Sequence, residues 1–180
     1  MTLTPDEFLK IELEAGISAD NPDFIRLAEH TERMITKLNL PILTVLDYGA
    51  GTGVYADAFR RARYDVKAFD IWESHRKYIA SKYSELVLVE NPITTDLMLF
   101  IEVAEHMTDK EIRALFKKIR PAYILFSSTP FKTDNDAAWG HINIKHSGQW
   151  LGLFDQLGYE LHMADVGFPT AWAMVLRMKK

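Results

Sequence analysis

The chain has no cysteine among its 180 residues. That excludes disulfide frameworks, thiolate metal sites and a cysteine nucleophile able to add covalently to a pyrimidine ring. No run approaches the ~20 apolar residues that a membrane span needs. The first residues, Met1-Thr2-Leu3-Thr4-Pro5-Asp6-Glu7, lack the basic-then-apolar pattern of a secretory leader. A soluble, unexported, cytoplasmic protein is expected. Positive charge is in deficit, with 21 Lys and Arg against 25 Asp and Glu and a net charge of -4. Long-range attraction for phosphate backbones or anionic lipid is therefore missing. The basic groups Arg60-Arg61-Arg63 and Lys117-Lys118-Arg120 fall at the ends of predicted helices, where cations offset the helix dipole. Internal repeats, low-complexity tracts and linkers are also lacking.

What is present suffices for one compact core, since 48% of the residues are hydrophobic and 26% charged. A single domain over residues 1–180 is expected, with a helical extension over 1–40 and an α/β core over 41–180. Thr4 as cap, Pro5 at the first helical position and Glu7 three residues after the cap start a helix that Gly16 ends. Asn21-Pro22-Asp23 opens a second, with Phe24, Leu27, Ala28, Met34, Ile35 and Leu38 at helical spacing. From Pro41 the pattern changes to short apolar runs alternating with amphipathic stretches. Strands are predicted over 42–48, 65–70, 86–89, 97–101 and 122–127, and helices over 53–62, 73–83 and 108–119, the last capped by Thr108 with Glu111 as reciprocal partner. That alternation is the signature of repeated βαβ units and a doubly wound sheet. Ser147 is the expected cap of a helix ending at Gly158. Two last strands, 159–165 and 172–179, are joined without a helix and so should pair antiparallel.

In such a sheet ligands bind beyond the carboxyl ends of the strands, and the first strand runs straight into Gly49, Gly51 and Gly53. A dinucleotide fingerprint starting at Gly49 would need glycine where Val54 stands, and the Gly-Lys-Ser/Thr of a phosphate loop is absent. Asp47 precedes the loop instead, a poor neighbour for a pyrophosphate and a good one for an ammonium group. Asp70 closes the second strand near the ~20-residue spacing of a carboxylate that accepts from ribose hydroxyls. Ile71 and Trp72 follow it, available to pack on an adenine.

The segment 45–53, Val-Leu-Asp-Tyr-Gly-Ala-Gly-Thr-Gly, resembles the first motif of class I S-adenosylmethionine-dependent methyltransferases, and Asp70 matches the second. Residues 96–107, Asp-Leu-Met-Leu-Phe-Ile-Glu-Val-Ala-Glu-His-Met, resemble the fourth strand and following turn of the ubiquinone- and menaquinone-biosynthesis-like branch (methyltransferase type 11/12). The resemblance, over roughly residues 41–165, implies a Rossmann-like sheet of seven strands in the order 3-2-1-4-5-7-6, strand 7 antiparallel. It implies S-adenosyl-L-methionine on Asp47, Tyr48, Gly49, Ala50, Gly51, Gly53, Asp70, Ile71 and Trp72, with Glu102 and Val103 near the sulfonium. At Glu90-Asn91-Pro92 the chain departs from the family's adenine-holding loop. His106 and His141, the second in a His-Ile-Asn element, are the candidate catalytic residues, since a placed imidazole can take a proton from an acceptor. No metal is expected, because Asp134, Asp136, His141 and His146 match no ligand template.

The expected reaction is methyl transfer to a small-molecule acceptor. A nucleic-acid acceptor is disfavoured by the charge and by Ile101-Glu102-Val103-Ala104 where amino-methylating enzymes carry Asn/Asp-Pro-Pro-Tyr. A protein acceptor, or binding or breakdown of the cofactor without methylation, stays open. The acceptor and the oligomeric state are not written in the sequence.

Overall fold

The computed structural model describes residues 3–180. The chain packs as two compact units, one ending at Pro92 and the other running from Ile93 to Lys180. Seven strands form one sheet in the order β3-β2-β1-β4-β5-β7-β6.

The first unit opens with α1 (Pro5–Glu14) and α2 (Pro22–Lys37). Thr4 and Glu7 close a reciprocal capping box on α1, and Asn21 accepts from Asp23 N–H to start α2. Gly16, at φ +82°, follows the last turn of α1, as a C-terminal glycine should. Then come β1 (Thr44–Tyr48), α3 (Val54–Arg61), β2 (Asp65–Phe69), α4 (Glu73–Lys82) and the two-residue β3 (Val87–Leu88). The three strands pair parallel. Val45 and Leu46 are wholly buried. Ala28 of α2 packs with Val54 and Ala58 of α3, reinforced by Phe24 and Tyr55, whose rings meet edge to face at 5.6 Å.

The second unit contains β4 (Leu97–Ile101), a 3-10 turn (Ala104–His106), α5 (Asp109–Lys118), β5 (Tyr123–Ser127), α6 (Asp136–Trp139), α7 (Ser147–Gln156), β6 (Tyr159–Met163) and β7 (Met174–Met178). β4 and β5 are parallel, whereas β7 runs antiparallel to both β5 and β6. Leu97, Met98, Leu99 and Phe100 are all fully buried, as befits a parallel strand covered on both faces. Phe116, Phe126, Trp150, Phe154 and Tyr159 form an aromatic core with ring centroids 4.9–5.7 Å apart along the chain of contacts.

Several details depart from the sequence expectation. His146, not Ser147, caps α7: its backbone is extended, its Nδ1 accepts from Gln149 N–H at 3.4 Å, and Gln149 Oε1 accepts from His146 N–H at 3.1 Å. An unprotonated imidazole nitrogen here does what a hydroxyl oxygen usually does. Strands 1, 3, 6 and 7 are shorter than expected by two residues or more, and the β6–β7 ladder shifts register between Leu161 and Met163. The 3-10 turn and the four-residue α6 lie in segments read as turn and loop.

Candidate functional site

The glycine loop is fixed to the end of β2. Gly49 N–H and Ala50 N–H both donate to Phe69 O, at 2.8 and 3.0 Å, and Gly53 N–H donates to Ala50 O at 2.8 Å. Gly49, Gly51 and Gly53 all have left-handed φ, +70°, +54° and +78°, which explains the residue type at alternate positions. At Gly53 space is also short: a Cβ would lie 3.0 Å from Ile79 and 3.3 Å from Tyr83.

Gly53 begins α3 without a side chain to cap it, and Asp47 supplies the acceptor. Its Oδ2 takes Ala56 N–H at 3.0 Å, while the residue is only 4% exposed. Burial pushes the Asp47 carboxyl up to about 7, against the Ala56 bond that pulls it down; the nearby Asp70 charge adds to the rise. Asp70 is bound at both oxygens, Oδ2 by Gly51 N–H at 3.0 Å and Oδ1 by Trp72 N–H at 2.9 Å. It thereby ties the loop to the start of α4. Burial raises its pKa too.

The N-terminal extension reaches this place. Glu12 of α1 lies 2.7 Å from His75 Nε2, and its Oε1 sits 3.4 Å from where a Gly51 Cβ would be. Phe8 packs on Trp72 with centroids 4.9 Å apart, and Trp72 on His75 at 5.1 Å. Burial raises the Glu12 pKa, with His75 opposing. Of the other residues singled out in the sequence, Tyr48 stacks on Phe69 at 5.1 Å, whereas Ile71 is 75% exposed. Arg76 Nη1 donates to the carbonyls of Asp70 and Ile71.

The second unit carries a separate cluster. β4 ends at Ile101, and Glu102 turns the chain with φ +51°, a left-handed conformation that costs a non-glycine residue ~1 kcal/mol or more. Glu102 Oε1 accepts from Ser127 Oγ–H at 2.5 Å and Oε2 from Thr129 Oγ1–H at 3.1 Å. Val103 leads into the 3-10 turn, which presents Glu105 and His106. The loop after α6 is pinned to that turn, because Ile142 N–H and Asn143 N–H both donate to Glu105 O, at 2.8 and 2.9 Å. The Asn143 side chain donates to Met107 O and to Asp109, so its contacts hold loop shape. His106 and His141 are thus brought together, ring centroids 5.0 Å apart. His141 Nδ1 lies 3.1 Å from Asp136 Oδ1. Burial, with His141 beside it, lowers His106 to about 4, leaving a neutral imidazole at pH 7. Burial and the Glu102 charge push Glu105 up to about 8.

The sequence does not mark Glu105, Glu12 or His75 as site residues, and Asp136 enters there only as a rejected metal ligand. Glu105 stood inside the quoted motif, and its signal was a charge in a turn that has to be buried. Asp136 meets His141 within one short local segment, whereas Glu12 and His75 become neighbours only through tertiary packing.

A family model described as methyltransferase domain matches residues 20–171. The ubiquinone biosynthesis O-methyltransferase of Caulobacter vibrioides is 27% identical over 124 residues, 61% of this chain and 49% of that protein. The chain therefore spans about half the length of the curated relative it matches. Among solved structures, magnesium protoporphyrin IX methyltransferase of Synechocystis PCC 6803 with bound SAH superposes with a TM-score of 0.66 at 15% identity, over 87% of this chain and 83% of that one. DesVI of Streptomyces venezuelae gives a TM-score of 0.66 at 10% identity over the full length of both. At these identities the likeness is one of fold.

Proposed function

The chain belongs to the methyltransferase domain family, and from that premise we propose that it transfers the methyl group of S-adenosyl-L-methionine to an oxygen or nitrogen of a small-molecule acceptor. The observation that carries this reading is the placement of Asp47 and Asp70 at the glycine loop, two buried carboxyls joined to one turn. Two acidic groups repel a pyrophosphate and suit a ligand with an ammonium, a sulfonium and ribose hydroxyls. SAH bound to the Synechocystis structural neighbour and the O-methyltransferase relative support the same cofactor and acceptor class.

In this reading Asp70 accepts from the ribose hydroxyls, the loop amides and Asp47 hold the amino-acid end, and Trp72 flanks the adenine. Glu102 and Val103 border the methyl group. The acceptor's lone pair forms the new bond to carbon as the carbon–sulfur bond breaks, its electron pair passing to sulfur and leaving neutral S-adenosylhomocysteine. The acceptor gives up one proton. His141 is the proposed base: Asp136 takes its Nδ1–H, which leaves a lone pair on Nε2. His106, neutral at pH 7, assists it. The residues otherwise position reactants and exclude water.

Incubation with methyl-labelled S-adenosylmethionine and fractionated small-molecule pools should give a labelled product and one S-adenosylhomocysteine per methyl. His141→Ala should lower that rate by about 10²–10⁴ with cofactor affinity unchanged. Cofactor loss without any labelled acceptor would replace this reading with cofactor breakdown.

A further inference from the structure

The cluster in the second unit is equipped for more than one proton transfer. Glu105 is fully buried, its Oε1 takes Thr129 N–H at 3.3 Å, its carboxyl lies against that of Glu102, and its Oε2 has no hydrogen-bond donor among the described residues. A buried acceptor without a donor costs ~1–3 kcal/mol, more for a charged one, and such groups in a native protein call for a reason.

We propose that Glu105, His106 and His141 bind one divalent first-row transition ion of the Zn²⁺ or Mn²⁺ type. One ligand atom from each lies within 4.8 Å of the others. Atoms sharing an ion at ~2.1 Å stand about 3–3.5 Å apart, so side-chain rotations of about 1 Å close the set. The two segments that supply the ligands are already joined by the Ile142 and Asn143 amides on Glu105 O. Asp136 accepts the Nδ1 proton of His141 and is itself held by Thr133 N–H and Oγ1–H, at 2.8 and 3.0 Å. That arrangement, a carboxylate fixing the tautomer so that Nε2 offers its lone pair, is the outer support of histidines that ligate metals. Two imidazoles with one carboxylate select transition ions over Mg²⁺ and Ca²⁺, which prefer all-oxygen shells. Glu102, held by the hydroxyls of Ser127 and Thr129, adds negative charge beside the site.

Three protein ligands leave coordination positions open. If the methyl-transfer reading holds, on which this clause rests, the ion occupies the His141 nitrogen that acts as base in the metal-free site, and an acceptor hydroxyl bound to the ion gives its proton to solvent instead.

The test is calorimetric titration of the chelator-treated 180-residue chain with Zn²⁺ and with Mn²⁺, together with the visible absorption spectrum after Co²⁺ loading. One equivalent should bind in the micromolar range or tighter. Glu105→Gln and His141→Ala should each weaken it about 10–100-fold and alter the Co²⁺ bands, while His162→Ala, outside the cluster, should change neither. Circular dichroism confirms that the variants fold, and the near-isosteric Glu105→Gln keeps the test valid if His141→Ala does not. Absence of one-equivalent binding by either ion, or equal affinity in Glu105→Gln and the parent, overturns the site. S-adenosylhomocysteine titrated into the same samples separates the two claims, because its binding without metal binding removes this proposal alone.

Discussion

In the first unit each buried carboxylate meets donors from its own neighbourhood: Asp47 the Ala56 amide, Asp70 the Gly51 and Trp72 amides, Asp57 the guanidiniums of Arg60 and Arg61. In the second unit Glu105 keeps one buried oxygen without a donor, and one oxygen of its carboxyl lies within 4.8 Å of a nitrogen of His106 and of His141. The difference teaches what each region is built to do. Amides that cap a carboxylate fix a backbone, so the glycine loop is a cradle shaped in advance. An acceptor left open in the interior is a place shaped for something to arrive.

The comparison breaks first at Gly53. Gly53→Ala adds a Cβ 3.0 Å from Ile79 at φ +78°, and strain with overpacking should cost about 2–4 kcal/mol, read from urea unfolding. A neutral substitution would mean the cradle is not rigid.

Asp47→Asn keeps an acceptor for Ala56 N–H and removes the buried charge. The folded pKa, about 7, lies above the ordinary aspartate value of 3.8. The native state therefore holds a proton that the unfolded chain has released between those values. Stability from that proton is full below about pH 4 and lost as pH rises through about 7. At pH 8 the variant should be more stable than the parent, by on the order of 1–3 kcal/mol, and should bind S-adenosylmethionine more weakly. A carboxylate that only caps a helix would leave affinity untouched.

Glu12→Ala strips the partner from His75, which is 1% exposed. A loss of about 1–2 kcal/mol and faster amide exchange in α1 should follow; unchanged exchange would show that α1 is held by Phe8 alone. The smallest effect belongs to Arg60→Ala, under about 1 kcal/mol, since Asp57 keeps Arg61 at 3.0 Å and Glu85 is largely exposed.

The same two regions explain what the sequence reveals. Capping boxes at Thr4/Glu7 and Thr108/Glu111 and the glycine loop are local, each written within a few residues, and were legible there. The strand order came from family resemblance rather than periodicity, because β4 and β5 are near-continuous apolar runs that look alike and nothing local says which strand each lies beside. His146 as a cap was missed because its acceptor is a ring nitrogen, not a hydroxyl. Glu105 with His141, and Glu12 with His75, are pairs made by packing distant segments, which no local pattern encodes.

Calorimetric titration with S-adenosylhomocysteine and with NAD tests the central claim most directly, on the parent and on Asp70→Ala. The parent should bind one equivalent of S-adenosylhomocysteine and give no heat with NAD, and Asp70→Ala should lower the affinity about 10²–10³-fold through loss of charge-assisted hydrogen bonds. No binding of S-adenosylhomocysteine, or equal binding by Asp70→Ala, would contradict it.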